Sequence, residues 1–181
     1  MALTFANKIT VGRILIVPFF IATVLYYTPE RDYFRLIALG VFLTAVVTDV
    51  IDGYIARRLH QRTKVGAILD PVADKLLLSS AFIYLYNVGL RFPKFDFPIW
   101  LVVGLISRDA ILFLGASVLQ MTTGRMEVEA NFFGKMTAFL QILCVMGMLL
   151  QLEVSKILWP VTFTITIVSG LIYIREGMKR F

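Results

Sequence analysis

Thr48-Asp49-Val50-Ile51-Asp52-Gly53-Tyr54-Ile55-Ala56-Arg57 is followed, after eight residues, by Gly66-Ala67-Ile68-Leu69-Asp70-Pro71-Val72-Ala73-Asp74. The two stretches lie in apolar runs, Phe34–Ala56 and Gly66–Val88, and a helix that crosses a bilayer takes about 20 such residues. An acid in a run of this kind costs at least ~2.5 kcal/mol at the bilayer centre, so four in one hairpin need a reason. Residues three or four apart on a helix share a face. Asp49, Asp52, Gly53 and Ala56 therefore form one stripe, and Gly66, Asp70 and Asp74 form a second. The midpoints of the two acid pairs are about equally far from Gln61, so a hairpin turning there brings the pairs to one depth. Four facing carboxylates repel one another unless cations sit between them. Hard divalent ions such as Mg²⁺ or Mn²⁺ suit an all-oxygen ligand set. The small residues leave room for a flat group, and Arg57, with Arg58, Arg62 and Lys64 in the loop, suits phosphate oxygens. Together these features suggest a metal-bound diphosphate at the membrane edge, carried by a lipid.

Outward from this hairpin the chain keeps the same character. Further apolar runs at Ile9–Tyr27, Phe97–Met121, Phe132–Leu152 and Ile157–Ile174 bring the expected spans to six. The breaks between them carry charge, Pro or Gly, and no stretch alternates polar and apolar residues as a barrel strand does. Of 181 residues, 59% are hydrophobic and 17% charged, against about 25% charged in a soluble domain. That disfavours a soluble enzyme, a disordered chain and a nucleic-acid module, despite a net charge of +6. Cys144 is the sole cysteine and His60 the sole histidine, so an internal disulfide and a Cys/His zinc cluster are excluded. Met1–Lys8 is too short for a charged leader start plus cleavage site, so the first helix is expected to be retained.

Lys and Arg set the orientation. Lys8, Arg13, Arg57, Arg58, Arg62, Lys64, Arg125, Lys135, Arg175, Lys179 and Arg180 fall on one side, and Arg31, Arg35, Arg91, Lys94 and Lys156 on the other. Eleven against five places both termini in the cytoplasm. Lys75 and Arg108 lie inside spans. The expected architecture is an all-α integral membrane protein of six transmembrane helices, with residues 1–181 forming one catalytic domain.

The acid hairpin as a whole, D-x-x-D-G-x-x-A-R-x8-G-x-x-x-D-x-x-x-D, resembles the signature of the CDP-alcohol phosphotransferase family. The resemblance extends to Asn7-Lys8-Ile9-Thr10-Val11-Gly12-Arg13 and to Gly134-Lys135-Met136-Thr137, and it implies that family's six-helix bundle. It also implies a reaction in which a hydroxyl attacks the lipid-side phosphorus of a CDP-linked lipid and CMP leaves. Carried over by position, Asp49, Asp52, Asp70 and Asp74 hold two divalent cations, with Asp74 also the general base. Gly53 and Ala56 let the cytidine pack closely and Arg57 holds phosphate; Asp52, Arg62, Gly66, Asn7 and Thr10 complete the CDP-lipid contacts. The implied donor is CDP-diacylglycerol.

The acceptor follows less directly. Arg108, Arg125 and Lys135 are the cations available for an acceptor phosphate. Gly134–Gln141 and Ser169-Gly170-Leu171-Ile172-Tyr173 are similar to family members that use glycerol 3-phosphate. Those members often read Arg-Glu where this chain has Arg108-Asp109, and carry a second arginine where it has Ala116. Ile106-Ser107-Arg108-Asp109 is instead similar to members that use phosphatidylglycerol and make cardiolipin. Glycerol 3-phosphate is placed ahead of phosphatidylglycerol, with other alcohols behind.

Plainer readings stand beside these. The acids could form an ion-pair network with Arg57, Arg58 and Lys75, although that leaves the small-residue stripe unexplained. Arg108 and Asp109 could neutralise each other, Asn7 and Thr10 could serve helix 1 alone, and Lys135 could mark a helix end. Gly104, Gly115 and Gly147 permit close helix contacts, and a homodimer in contact with membrane lipids is expected. A divalent-cation transporter is a distant alternative, since acids on a transport path would sit nearer the bilayer midplane between broken helices. The expected location is the inner membrane, multi-pass, with the site facing the cytoplasm.

Overall fold

Arg13, Val17, Phe20, Val24 and Tyr27 are buried at steps of four, three, four and three residues, the period of one helix face. They lie on or just beyond α1 (Phe5–Leu25). The computed structural model describes the backbone of residues 5–58, 64–89, 91–94, 97–123 and 132–178, and the side chains of 11–51, 72–89, 91–94, 97–115, 132, 134–173 and 175. After α1 come a 3-10 turn at Pro29–Arg31, α2 (Tyr33–Arg58), α3 (Lys64–Gly89), α4 (Ile99–Thr123), α5 (Phe132–Leu150) and α6 (Ser155–Met178). Each apolar run recognised in the sequence coincides with one of these helices, with ends displaced by a few residues. There is no strand among the described residues. α2 closes at Arg58 and α3 opens at Lys64, which brackets the turn expected at Gln61.

The chain divides into two compact units, Met1–Asp96 and Phe97–Phe181. In the first, α1 packs against both α2 and α3. Ala38, Phe42 and Ala45 of α2 and Ala73, Leu77, Ala81 and Leu85 of α3 are buried, like the α1 stripe. Phe20 and Phe42 lie 5.8 Å apart between ring centroids, and Tyr27 meets Phe92 edge-on at 4.7 Å. The alanines of α2 and α3 let α1 approach closely, as helices in lipid need when packing is their main attraction.

Asp32 immediately precedes α2. Its carboxylate accepts hydrogen bonds from Arg35 Nε at 2.8 Å and Nη2 at 2.7 Å. These bonds hold the Asp32 carboxyl below the usual carboxylate range. Because its native pKa is lowered, this pair stabilises the fold above the ordinary carboxylate pKa, and the effect fades as pH falls below it. Exposed Tyr26 and Tyr33 flank this connection, a placement suited to a membrane–water interface.

In the second unit α6 packs against α4 and α5. Its buried stripe is Ser155, Trp159, Thr162, Thr166 and Ser169. Thr162 and Thr166 donate to the carbonyls of Leu158 and Thr162, at 2.8 and 2.7 Å, so hydroxyls inside the helix layer are satisfied within the helix. Cys144, fully buried, lies 3.2 Å from the Thr162 hydroxyl. α5 ends with Gln151 at φ 54. The Leu152 amide donates to Gly147 and the Gln151 amide to Met148, the double closure of a helix terminus usually made by glycine. The Gln151 side chain adds a bond to the Met148 carbonyl at 2.9 Å.

Gly104 and Gly147 serve packing within the chain. A Cβ at Gly104 would run into the Phe163 ring, and one at Gly147 into the Ser155 hydroxyl. Phe163 is itself held edge-on against Trp100 at 5.1 Å, so the ring has little freedom to yield. Gly104→Ala is expected to destabilise the protein by about 1–3 kcal/mol through overpacking. Gly40→Ala, with nothing within 4 Å, is expected to leave stability unchanged or raise it. Thermal unfolding in detergent checks both, and equal melting temperatures for the two variants would contradict the packing account.

Large apolar side chains point outward from both units. Leu15, Phe19, Val47 and Val50 in the first and Phe113, Leu114, Ile157 and Leu171 in the second are all more than half exposed. Tyr33–Ile51 and Ser155–Tyr173 are long and apolar enough to cross a membrane, with mean hydropathies of 2.0 and 1.5. Only 17% of the first and 28% of the second is buried. A core helix of a water-soluble protein would be mostly covered, so these faces suit a lipid surrounding.

Candidate active site

The buried stripe of α1 begins with a charge. Arg13 is 1% exposed, on the same face as Val17 and Phe20. On α2, Asp49 stands four residues beyond Ala45, in register with the buried stripe Ala38, Phe42, Ala45. On α3, Asp74 precedes Leu77 by three residues and Ala81 by seven. Each polar residue thus continues an apolar seam, and the three meet. Arg13 Nη1 lies 2.6 Å from Asp49 Oδ1 and 2.7 Å from Asp74 Oδ1. One nitrogen on α1 therefore joins carboxylates from two other helices.

The exposures within this cluster differ sharply. The Asp49 and Asp74 side chains are 38% and 42% exposed, against 1% for Arg13. The guanidinium backs the acids from inside the helix layer, and both carboxylates keep an open side. Two carboxylates from two helices are oxygen donors of the kind a hard divalent ion takes.

Among the described residues, no group of three or more possible ligands gathers. The side chains of Asp52 and Asp70 lie outside the described residues; the helical backbone carries Asp52 one turn beyond Asp49 and Asp70 one turn before Asp74. Gly53, Ala56 and Arg57 follow on α2, Gly66 stands near the start of α3, and Asn7 and Thr10 lie in the first turns of α1. Their side-chain surroundings, and Arg62 and Arg125 altogether, lie outside the described residues.

In the sequence Arg13 stands among the cytoplasmic-side cations and closes the Asn7–Arg13 stretch that carries the resemblance, with no place in the site assigned to it. Its signal was available, because a charged residue in register with an apolar stripe inside a span marks a site by default.

In the second unit Arg108 donates from Nη2 to the Ser169 hydroxyl at 2.6 Å and from Nη1 to Asp109 Oδ1 at 2.9 Å. Its Cγ lies 3.5 Å from where a Gly170 Cβ would stand. Two stretches separated in sequence, Arg108-Asp109 and Ser169-Gly170, are thus brought together. The charge of Arg108 is balanced by Asp109, with side chains 11% and 10% exposed. On α5, Lys135 is exposed, whereas Thr137 and Gln141 are buried.

The sequence matches the CDP-alcohol phosphatidyltransferase family over residues 3–169. It belongs to that family. A Bacillus subtilis protein named CDP-diacylglycerol--glycerol-3-phosphate 3-phosphatidyltransferase is 35% identical over 195 residues, covering 96% of this chain and 94% of the relative. A Mycobacterium tuberculosis protein named "Probable phosphatidylglycerophosphate synthase" is 30% identical over 180 residues, covering 96% and 81%. A Streptomyces coelicolor protein named cardiolipin synthase (CMP-forming) is 32% identical over 140 residues, covering 76% and 60%.

Proposed function

We propose that this protein transfers the phosphatidyl group of CDP-diacylglycerol to glycerol 3-phosphate, forming phosphatidylglycerol phosphate and releasing CMP. The observation that carries the reading is the meeting of Asp49 and Asp74, from separate helices, at a single nitrogen in a chain of this family. For the acceptor, support comes from relatives named for glycerol 3-phosphate that span nearly the whole chain.

Asp49, Asp52, Asp70 and Asp74 are assigned to two divalent cations, Mg²⁺ or Mn²⁺. Such ions, when bound, would polarise the phosphorus and offset charge on the departing CMP. Asp74 also takes the proton of the attacking hydroxyl, with the open side of its carboxylate giving that hydroxyl access. Gly53 and Ala56 offer a surface without bulk for the cytidine, and Arg57 holds phosphate oxygens. Arg62, Gly66, Asn7 and Thr10 complete the donor site. The hydroxyl forms the new P–O bond as the bond to CMP breaks, in one displacement. The two units act as one membrane catalytic domain, with six spans, both termini cytoplasmic and the site at the inner leaflet. A homodimer is the proposed assembly.

Arg108, Arg125 and Lys135 are assigned to the acceptor phosphate. Arg108→Ala is expected to raise KM for glycerol 3-phosphate about 10- to 100-fold, the value of a lost charged hydrogen bond, with KM for CDP-diacylglycerol little changed. Unchanged acceptor saturation would leave the Arg108–Asp109 pair as a structural element.

A second reading is a cardiolipin synthase that uses phosphatidylglycerol, favoured by the Streptomyces relative and by Ile106–Asp109. The deciding experiment supplies purified protein, CDP-diacylglycerol and Mg²⁺ or Mn²⁺ with glycerol 3-phosphate, phosphatidylglycerol, inositol 1-phosphate or serine in turn. CMP release and the mass of the lipid product are followed. Phosphatidylglycerol phosphate supports the first reading, and cardiolipin the second. No release with any acceptor, together with metal flux into vesicles, would point to a transporter instead.

A further inference from the structure

We propose that Arg13 is the positioning residue of the metal centre. Its guanidinium, buried on α1, holds Asp49 of α2 and Asp74 of α3 at a separation at which they share a divalent ion. The inference rests on the metal reading given above, and its argument is geometric. Asp49 and Asp74 are carried by different helices, and α1 packs against both. The carboxylates are joined through one atom, Arg13 Nη1, at 2.6 and 2.7 Å, the short range of charge-assisted bonds. A guanidinium 1% exposed is a buried charge, which is stable only beside opposite charge, and Asp49 and Asp74 supply it from two helices. Because they remain 38% and 42% exposed, the two carboxylates are accessible to an ion while Arg13 holds them. Hydrogen bonds to metal-binding carboxylates orient them, and their loss typically costs 10- to 100-fold in metal affinity.

Full-length protein, stripped with EDTA, is titrated with Mn²⁺ while the paramagnetic signal of the free ion is followed. Arg13→Gln is expected to weaken Mn²⁺ binding about tenfold or more, and Arg13→Lys, which keeps the charge, to restore most of the loss. Unchanged or tighter binding in Arg13→Gln overturns the role. A second measurement reads the tie without metal, even where Arg13→Gln alone is too unstable to titrate. In EDTA, Asp49→Asn/Asp74→Asn is expected to melt below wild type, because it removes both of the carboxylate charges that the buried guanidinium meets at 2.6 and 2.7 Å. Adding Arg13→Gln to that pair is expected to raise the melting temperature, although the same change lowers it in the wild-type background. A fall of equal size in both backgrounds overturns the proposal. Wild-type protein that binds no Mn²⁺ overturns the metal reading and the positioning role with it. Wild-type binding that Arg13→Gln leaves untouched overturns the role of Arg13 alone.

Discussion

Asp74→Asn is expected to lower CMP release from CDP-diacylglycerol by about 10³-fold or more, while the protein still enters the membrane. Two losses combine in that figure. Asn cannot take the acceptor's proton, and positioned general bases contribute about 10²–10⁴-fold. Asn is also a poorer metal ligand, with no negative charge to offer. Its amide oxygen still accepts a hydrogen bond from Arg13, so the contact at 2.7 Å can survive while its charge does not. The helices should therefore stay together and the defect should be chemical. CMP release at saturating metal and both substrates, beside the elution profile of the detergent-solubilised variant, separates the two possibilities. Near-normal turnover in Asp74→Asn, or in Asp70→Asn, would sink the two-ion assignment.

Removal of divalent cations should have an effect of similar size. Protein dialysed against EDTA is expected to release no CMP above background, and Mg²⁺ or Mn²⁺ to restore release with a dependence steeper than one ion per site. Carboxylates must be deprotonated to bind metal, so the metal concentration needed for half activity should rise as pH falls toward the carboxylate range. Full activity in verified metal-free protein would mean that the acids serve a different purpose. Cluster size bears on this result. Asp49 and Asp74 alone are too few ligands for two ions, so the expectation depends on Asp52 and Asp70 one turn away on each helix.

The helices were legible because twenty-residue apolar runs leave little alternative in lipid, where backbone polar groups must be satisfied within the segment. The acids were legible because their cost in a span exceeds what chance placement tolerates. The short turn at Pro29–Arg31 went unseen, since three residues carry no periodic signal. Helix–helix pairing was legible only in part. The hairpin pattern pointed to Asp49 and Asp74 facing one another directly, whereas α1 joins them through Arg13. A pattern within one hairpin says nothing of a helix inserted from elsewhere in the chain, and Arg13 is 61 residues from Asp74. Arg108 shows the same limit. Its neighbour Asp109 was plain in the sequence, but its partner Ser169, also 61 residues away, is placed by α4 packing on α6. Of the three glycines expected at close contacts, Gly104 and Gly147 meet neighbours tightly, whereas a Cβ at Gly115 would have only the Tyr173 ring at 4.0 Å.

The joining of α2 and α3 through the first helix has a consequence for biosynthesis. A ribosome delivers Arg13 long before either acid that neutralises it. Until Asp49 arrives the guanidinium has no counter-ion from α2, and until Asp74 arrives the trio is incomplete. A nascent chain halted in this interval must keep α1 shallow, its arginine reaching for headgroups, or park it beside the insertion machinery. The ion pairs of Arg13 with both acids can form only once α3 has emerged, so the N-terminal half can close around this arginine only after its third helix is made.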